Sequence, residues 1–361
     1  MLNIFGNNIL IPLLVSLFVT LGVTPICIKL FYKIKLLDFP NRKHPAILHT
    51  KPIPRGGGIP LFLGVFVAAI LFLPVTKAFV GIFTASFISL IIGILDDKYD
   101  ISPYVRFAFN IAAALLVIAS GVNISFITNP LGGILFLNKT LFELNFLGFD
   151  LIINFSLILA VLWIVWVMNM LNWSKGVDGQ MPGVVAISAI IIGMLSLRFS
   201  ILDESSILAA KLSFIIAGAA LGFLIYNFYP AKIFPGYGAT SIYLLLAVVS
   251  ILSSAKLATA ILVMGVPLAD GAFTIVRRIS TGHSPFWHDR KHFHHLLLSA
   301  GLGQRRIALF YWVISAIFGS LALVLSSKGK LFAIIMVIIL VGGGLLFLNL
   351  LIRYRDDKDK L

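Results

Sequence analysis

Apolar residues run along this chain in blocks long enough to cross a bilayer, separated by short polar stretches. A spanning helix needs about 20 mostly apolar residues. Eleven stretches approach that length: 9–31, 59–75, 78–95, 105–122, 151–171, 184–199, 207–229, 241–254, 257–276, 307–326 and 331–352. Only Pro74 to Lys77 divides the second from the third, so a tight hairpin joins them, and the eighth is the shortest. The pattern predicts an all-α fold: a polytopic transmembrane helical bundle of about 10–11 helices. It forms one membrane-embedded domain over 1–361, with no soluble domain, linker or internal repeat. The connection 123–150 is rich in Gly, Asn and Phe and predicts a small hairpin on the outer surface.

Composition agrees, since 60% of the residues are hydrophobic and 12% charged, against about a quarter charged in ordinary soluble domains. The first apolar run lacks a preceding positive charge and a small-residue cleavage site, so it reads as a retained helix. The single cysteine, Cys27, lies inside it, which excludes an intrachain disulfide and fits a small buried hydrophobe.

Lys and Arg set the expected orientation. With the N-terminus outside, the polar segments on the cytoplasmic side and their helix ends hold 21 of the 28 basic residues. Ten of the 14 acids fall on that side too. The net charge of +14 sits between apolar segments and not in a separate basic domain. It therefore points away from nucleic acid and toward anionic lipid or a phosphorylated substrate.

Chemistry gathers in four of these segments. Asp96 and Asp97 close an apolar helix at its C-terminal end, where the macrodipole and their mutual repulsion are unfavourable by about 1–2 kcal/mol. A cation should compensate, and Lys98 is the adjacent one. Segment 169–183 places Asn169, Asn172, Lys175 and Asp178 beside the membrane in a Gly-rich turn whose backbone can approach a ligand. Segment 277–306 carries Arg277, Arg278 and five histidines within thirteen residues, ending Arg290-Lys291-His292-Phe293-His294-His295. An anchor needs only Lys and Arg, whereas histidines suit phosphate binding, proton transfer or metal binding. Zinc would need companion ligands, and the sequence has neither a companion cysteine nor a second paired-His motif. Segment 42–58 opens with Arg42, Lys43 and His44 and adds Lys51, Arg55 and Gly56-Gly57-Gly58, whose amides can cradle phosphate oxygens. Cations, histidines and carboxylates on one side of a membrane suit transfer of a phosphoryl-linked group to a lipid whose phosphate lies at the interface.

These residues identify a resemblance. IPRGGGI (53–59), GILDDKYDISPYVR (93–106), NMLNWSKGVDG (169–179), FLIYNFYPAKIF (223–234) and RRISTGHSPFWHDRKHFHHLLL (277–298) resemble, in order, the motifs of the MraY/WecA family. Its members are polyprenyl-phosphate N-acetylhexosamine-1-phosphate transferases, of glycosyl transferase family 4 type. The helix number and the HFHH form are similar to the WecA branch. The resemblance implies transfer of a sugar-1-phosphate from a UDP-sugar to a polyprenyl phosphate such as undecaprenyl phosphate, with release of UMP, at the inner or plasma membrane. It implies that Asp96 and Asp97 deprotonate or orient the lipid phosphate, that Asn172 and Asp178 line the nucleotide or metal site, and that Arg290, His292, His294 and His295 grip the donor. It also implies Mg2+, with Asp97 and Asp178 as candidate ligands. A homodimer is compatible with the apolar helix faces, which look alike toward lipid and partner.

Two positions depart from the family pattern. Lys175 stands where the family has an Asp, and Tyr237 where it has the Asp that ligates magnesium. The first change adds two positive units and the second one, against the two that magnesium would bring. One reading is that Lys175 assumes part of the metal's role, making metal weakly bound or unnecessary. A rival reading is an inactive or altered homologue that binds lipid phosphate or nucleotide sugar. A transporter would need ionisable groups at mid-membrane, and Asp270, a few residues before Arg277, is the one plausible residue.

Overall fold

The computed structural model describes residues 6–41, 48–130, 132–146, 149–198, 204–252, 257–287 and 289–358. Arg42, Lys43, His44 and His288 lie outside the described residues. The helices are α1 (Ile11–Lys33), α2 (Gly58–Phe72), α3 (Lys77–Tyr99), α4 (Pro103–Ala119), α5 (Phe155–Trp173), α6 (Gln180–Ser196), α7 (Glu204–Asn227), α8 (Thr240–Ile251), α9 (Leu257–Val263), α10 (Gly265–Ser280), α11 (Phe293–Ser299), α12 (Gln304–Val324) and α13 (Ser327–Lys358). Among the described residues, six helices are long and apolar enough to cross a membrane, and the bent pair α9–α10 makes a seventh. Four shorter apolar helices begin at Gly58, Pro103, Gln180 and Tyr237. The protein is thus a polytopic helical membrane protein, and the eleven apolar stretches each correspond to a helix or to the bent pair.

Two departures have local causes. The fifth stretch begins its helix only at Phe155, because 149–154 pairs as a strand and Asn154 then caps the helix by accepting the Leu157 amide at 2.9 Å. The ninth stretch bends by 82° between Val263 and Gly265. Pro267 lacks an amide and its ring would meet the Val263 carbonyl, so the helix cannot run straight through. The segment expected to form one outer hairpin forms two antiparallel ribbons, Phe126–Thr128 with Ile134–Phe136 and Thr140–Phe146 with Phe149–Asn154.

Helix α8 is short because it never faces lipid. All twelve of its residues are buried, so it forms the centre around which longer helices pack. Polar tethers fix its register: Trp163 Nε1 donates to Ser250 Oγ at 2.8 Å, and Ser86 Oγ donates to the Ser241 carbonyl. At its start, the turn Tyr237–Ala239 is pinched between α2 and α3. A Cβ on Gly58 would fall 2.2 Å from the Gly238 carbonyl carbon, and one on Gly93 would fall 2.3 Å from Gly238 Cα. Glycine at both positions lets three backbones meet, and the aspartate pair sits one helical turn beyond Gly93.

Candidate active site

The loops at this end enclose one cleft of about 1270 Å³, larger than the roughly 300–1,000 Å³ of ordinary small-molecule sites. Seven Lys and Arg side chains line it against four Asp, among the described residues.

Behind the wall lie the two helix-ending aspartates. Asp96 is fully buried, and Arg106 Nη1 donates to both its oxygens at 3.0 Å. Asp97 Oδ1 meets Arg55 Nε at 2.8 Å and accepts the Tyr237 amide at 2.8 Å. Its other oxygen accepts the Gly238 amide at 3.4 Å. The compensation expected at this helix end thus comes from Arg55 and Arg106, while Lys98 lies over the Tyr99 ring. Neither aspartate lines the cleft directly.

The glycine run behaves differently from the expectation. Gly56 and Gly57 donate to the Phe234 carbonyl, and Gly58 donates to that of Pro235. These amides are consumed in docking α2 onto the segment before Tyr237, so they do not cradle phosphate.

Lys175 follows α5 in a tight turn. Its Nζ donates to the Gly236 carbonyl at 2.7 Å and lies 5.8 Å from the centre of the Tyr237 ring. Arg106 lies 4.9 Å from the same ring, and Asn110 Nδ2 donates to the Tyr237 hydroxyl at 3.1 Å. Burial pushes the Lys175 ammonium down to about 7, with Asp97 pulling it back up and Arg55 pushing it further down. Asp178 Oδ2 accepts the Ala231 amide at 2.9 Å, and the Asp178 amide donates to Gln304 Oε1. Burial raises the Asp178 carboxyl, opposed by that amide bond and by His49.

The histidine block supplies the opposite wall. Asp270, fully buried on α10, holds His292 Nδ1 at 2.9 Å through Oδ2 and accepts the Phe293 amide through Oδ1. His294 packs against Gly176, where a Cβ would fall 1.8 Å from Nε2. Burial, together with His295 and His292, holds the His294 imidazole well below the usual histidine range. Burial takes His295 down to about 4, with His292 and Arg290 adding to the effect. Both are neutral near pH 7, so they serve the cleft as hydrogen-bonding groups and not as cations. Asp289 bridges Arg277 and Arg278 at 2.7 and 3.2 Å. Burial would raise the Asp289 carboxyl, but the Lys291 amide and the two arginines outweigh it.

Of the residues singled out in the sequence, Lys51, Arg55, Asn172, Lys175, Asp178, Tyr237, His292, His294 and His295 line the one cleft. Asn169 instead donates back to the Val165 carbonyl within its helix, and Arg290 is exposed away from the lining. Sequence reasoning gave no site role to Arg106, Asp270, Asp289 and Gln304, and named Arg278 only as part of the basic block. Asp270 had a signal, as an acid in an apolar stretch close to the histidines, but it pointed equally to transport.

The carboxylates do not fit the magnesium that the resemblance implies. Mg2+ takes oxygen ligands in near-octahedral array, normally one or two free carboxylates beside substrate phosphates and water. Asp97 is spent on Arg55 and two amides, Asp178 is tied to a backbone amide, and Lys175 sits among them. Among the described residues, no three His, Cys, Asp or Glu form a metal-holding group.

Comparison with known proteins places the chain among sugar-phosphate transferases acting on polyprenyl phosphate. The family model described as glycosyl transferase family 4 matches residues 79–254. A probable undecaprenyl-phosphate N-acetylglucosaminyl 1-phosphate transferase of Bacillus subtilis is 32% identical over 343 residues, covering 92% of this chain and 89% of the relative. A decaprenyl-phosphate N-acetylglucosaminephosphotransferase of Mycobacterium tuberculosis is 31% identical, covering 86% of this chain and 82% of the relative. An undecaprenyl-phosphate alpha-N-acetylglucosaminyl 1-phosphate transferase of Escherichia coli is 28% identical, covering 81% and 77%.

Proposed function

The chain belongs to glycosyl transferase family 4, and on that basis we propose that it transfers N-acetylhexosamine-1-phosphate from a UDP-sugar to polyprenyl phosphate in the cell membrane. The observation that carries this reading is the single cation-rich cleft, built by five loop regions and large enough for two phosphate-bearing substrates. The Lys and Arg distribution supports a cytoplasmic cleft, on the side where a soluble nucleotide sugar is available.

In the reaction, an oxygen of the lipid phosphate attacks the β-phosphorus of the donor. The bond from that phosphorus to the bridging oxygen breaks, and UMP leaves with the electron pair. A phosphate monoester is largely dianionic near neutral pH, so the nucleophile needs little proton removal. The work left to the protein is positioning and charge stabilisation. Arg55 and Lys175, both on the cleft wall, face the diphosphate. His292, with Nδ1 committed to Asp270, offers Nε2 to a phosphate or sugar oxygen. Asp96 and Asp97 act from behind, holding Arg106 and Arg55 in place and fixing the turn that bears Tyr237. No step here is routed through a metal, because the donor set does not suit one.

The test is direct. Detergent-purified protein should release UMP when given polyprenyl phosphate and the right member of a UDP-sugar panel. Absence of UMP with every donor, in the presence and absence of Mg2+, would overturn the reading in favour of a binding protein.

A further inference from the structure

A diphosphate donor carries negative charge that must be neutralised before a second phosphate can approach it. Around Tyr237, Arg55, Arg106 and Lys175 face two carboxylates, Asp96 and Asp97, so the cluster carries one positive unit whenever Lys175 holds its proton. A divalent ion placed there would raise the excess to three and would find both carboxylates already bound to arginine. The electrostatics of the pocket therefore oppose the metal and favour an anion.

Lys175 is built for this position. Its Nζ spends one hydrogen on the Gly236 carbonyl at 2.7 Å, and an ammonium has three. That leaves two for a ligand, and Lys175 lines the cleft. Tyr237 is more than a lost ligand, because its ring carries Arg106 at 4.9 Å and Lys175 at 5.8 Å. Asn110 fixes its hydroxyl. An aromatic ring attracts cations through its face, so this tyrosine holds two of them against its ring.

We propose that the Lys175 ammonium, seated on Gly236 and Tyr237 and backed by Arg55 and Arg106, supplies in place of a divalent cation the positive charge that a nucleoside diphosphate needs. Donor binding and transfer then require no divalent metal. This rests on the transferase reading for the reaction, but its binding half stands on the pocket alone.

The experiment is calorimetric titration of UDP, the part common to all UDP-sugars, into the purified full chain. It is run once in EDTA and once in millimolar Mg2+, alongside UMP release under both conditions. The expected result is a Kd in EDTA within about threefold of that in Mg2+, weakened about tenfold or more by Lys175→Gln and largely retained by Lys175→Arg, which also shows that the site still folds. UDP binding seen only with Mg2+, or a Lys175→Gln variant that binds UDP in EDTA like the native protein, overturns the proposal. UMP release abolished by EDTA and restored by Mg2+ overturns it too, while leaving the transferase reading intact. Conversely, Lys175-dependent UDP binding in EDTA with no UMP from any donor sinks the transferase reading and leaves Lys175 as a metal-free diphosphate site.

Discussion

His292 Nδ1 lies 2.9 Å from Asp270 Oδ2, and both residues are buried where α10 meets the loop leading into α11. The carboxylate fixes which ring nitrogen carries the proton and leaves Nε2 as the atom that can address a substrate. Asp270→Asn removes the charge while keeping the shape. Turnover should fall by about ten- to a hundredfold, the range seen when the partner orienting a working histidine is lost. UMP release checks this, and a thermal midpoint in detergent close to native separates orientation from unfolding. Unchanged turnover would make Asp270 a purely structural residue.

Arg106 and Asp96 form a bidentate pair against a fully buried carboxylate. Removing Arg106 leaves the buried Asp96 facing Arg55 Nη2 at 3.9 Å, beyond hydrogen-bond reach, a loss approaching the about 3–5 kcal/mol of breaking a buried pair. Arg106→Gln should therefore lower the thermal midpoint sharply. Asp96→Asn with Arg106→Gln should recover much of the stability, since two neutral amides can bond each other. The double variant should not recover turnover, because Arg106 also positions Tyr237. A double variant as unstable as the single one would show that the pair is not the source of the loss.

Gly93 shares its contact with the Gly238 backbone, so a methyl group there cannot be accommodated by swinging a side chain aside. Alanine would gain up to about 1 kcal/mol in helix propensity and lose about 1–3 kcal/mol to overpacking. The turn bearing Tyr237 would move away from Asp97. Gly93→Ala should therefore lower both the thermal midpoint and UDP affinity, whereas Gly343→Ala, inside α13 with nothing within 4 Å of its Cβ, should leave UDP affinity unchanged and keep or slightly raise the midpoint.

Apolar periodicity reveals the helices because in lipid every backbone group must bond internally, which leaves long apolar runs little choice but helix. It cannot reveal that 149–154 pairs as strand or that Pro267 sits at a bend, because composition alone does not separate these from a continuing helix. The site is legible through residues whose type is costly at a membrane end, such as Asp97, Lys175 and the histidines. The roles of Arg106 and Asp270 are not, because each depends on a partner ten or more residues away in the chain. The glycine run shows the opposite failure: its pattern fits an anion cradle, yet the Phe234 and Pro235 carbonyls claim its amides first.

The pH dependence of UDP binding follows from Lys175. Burial, against the pull of Asp97, takes its ammonium from the usual 10.5 to about 7 in the free protein. The charged groups facing it are Asp96 and Asp97 from α3, Arg55 from the segment before α2 and Arg106 from α4. An arriving diphosphate adds negative charge and favours the protonated lysine, so its pKa in the complex is higher than in the free protein. Below about pH 7 the lysine is already charged, and affinity should level off until the terminal phosphate of UDP itself protonates near pH 6. Above it, binding must take up a proton, so affinity should fall with rising pH by up to about tenfold per unit until the complex itself titrates. Folding carries the opposite sign. Between about 7 and 10.5 the unfolded chain keeps the Lys175 proton that the folded one gives up, so the Lys175 contribution to stability improves as pH rises through that window. Calorimetry at pH 8 in buffers of different ionisation enthalpy should show proton uptake on UDP binding. Lys175→Arg, charged throughout this range, should bind UDP without that uptake and with a flat profile. A native profile that is flat from pH 6 to 9 would mean that the diphosphate does not contact Lys175.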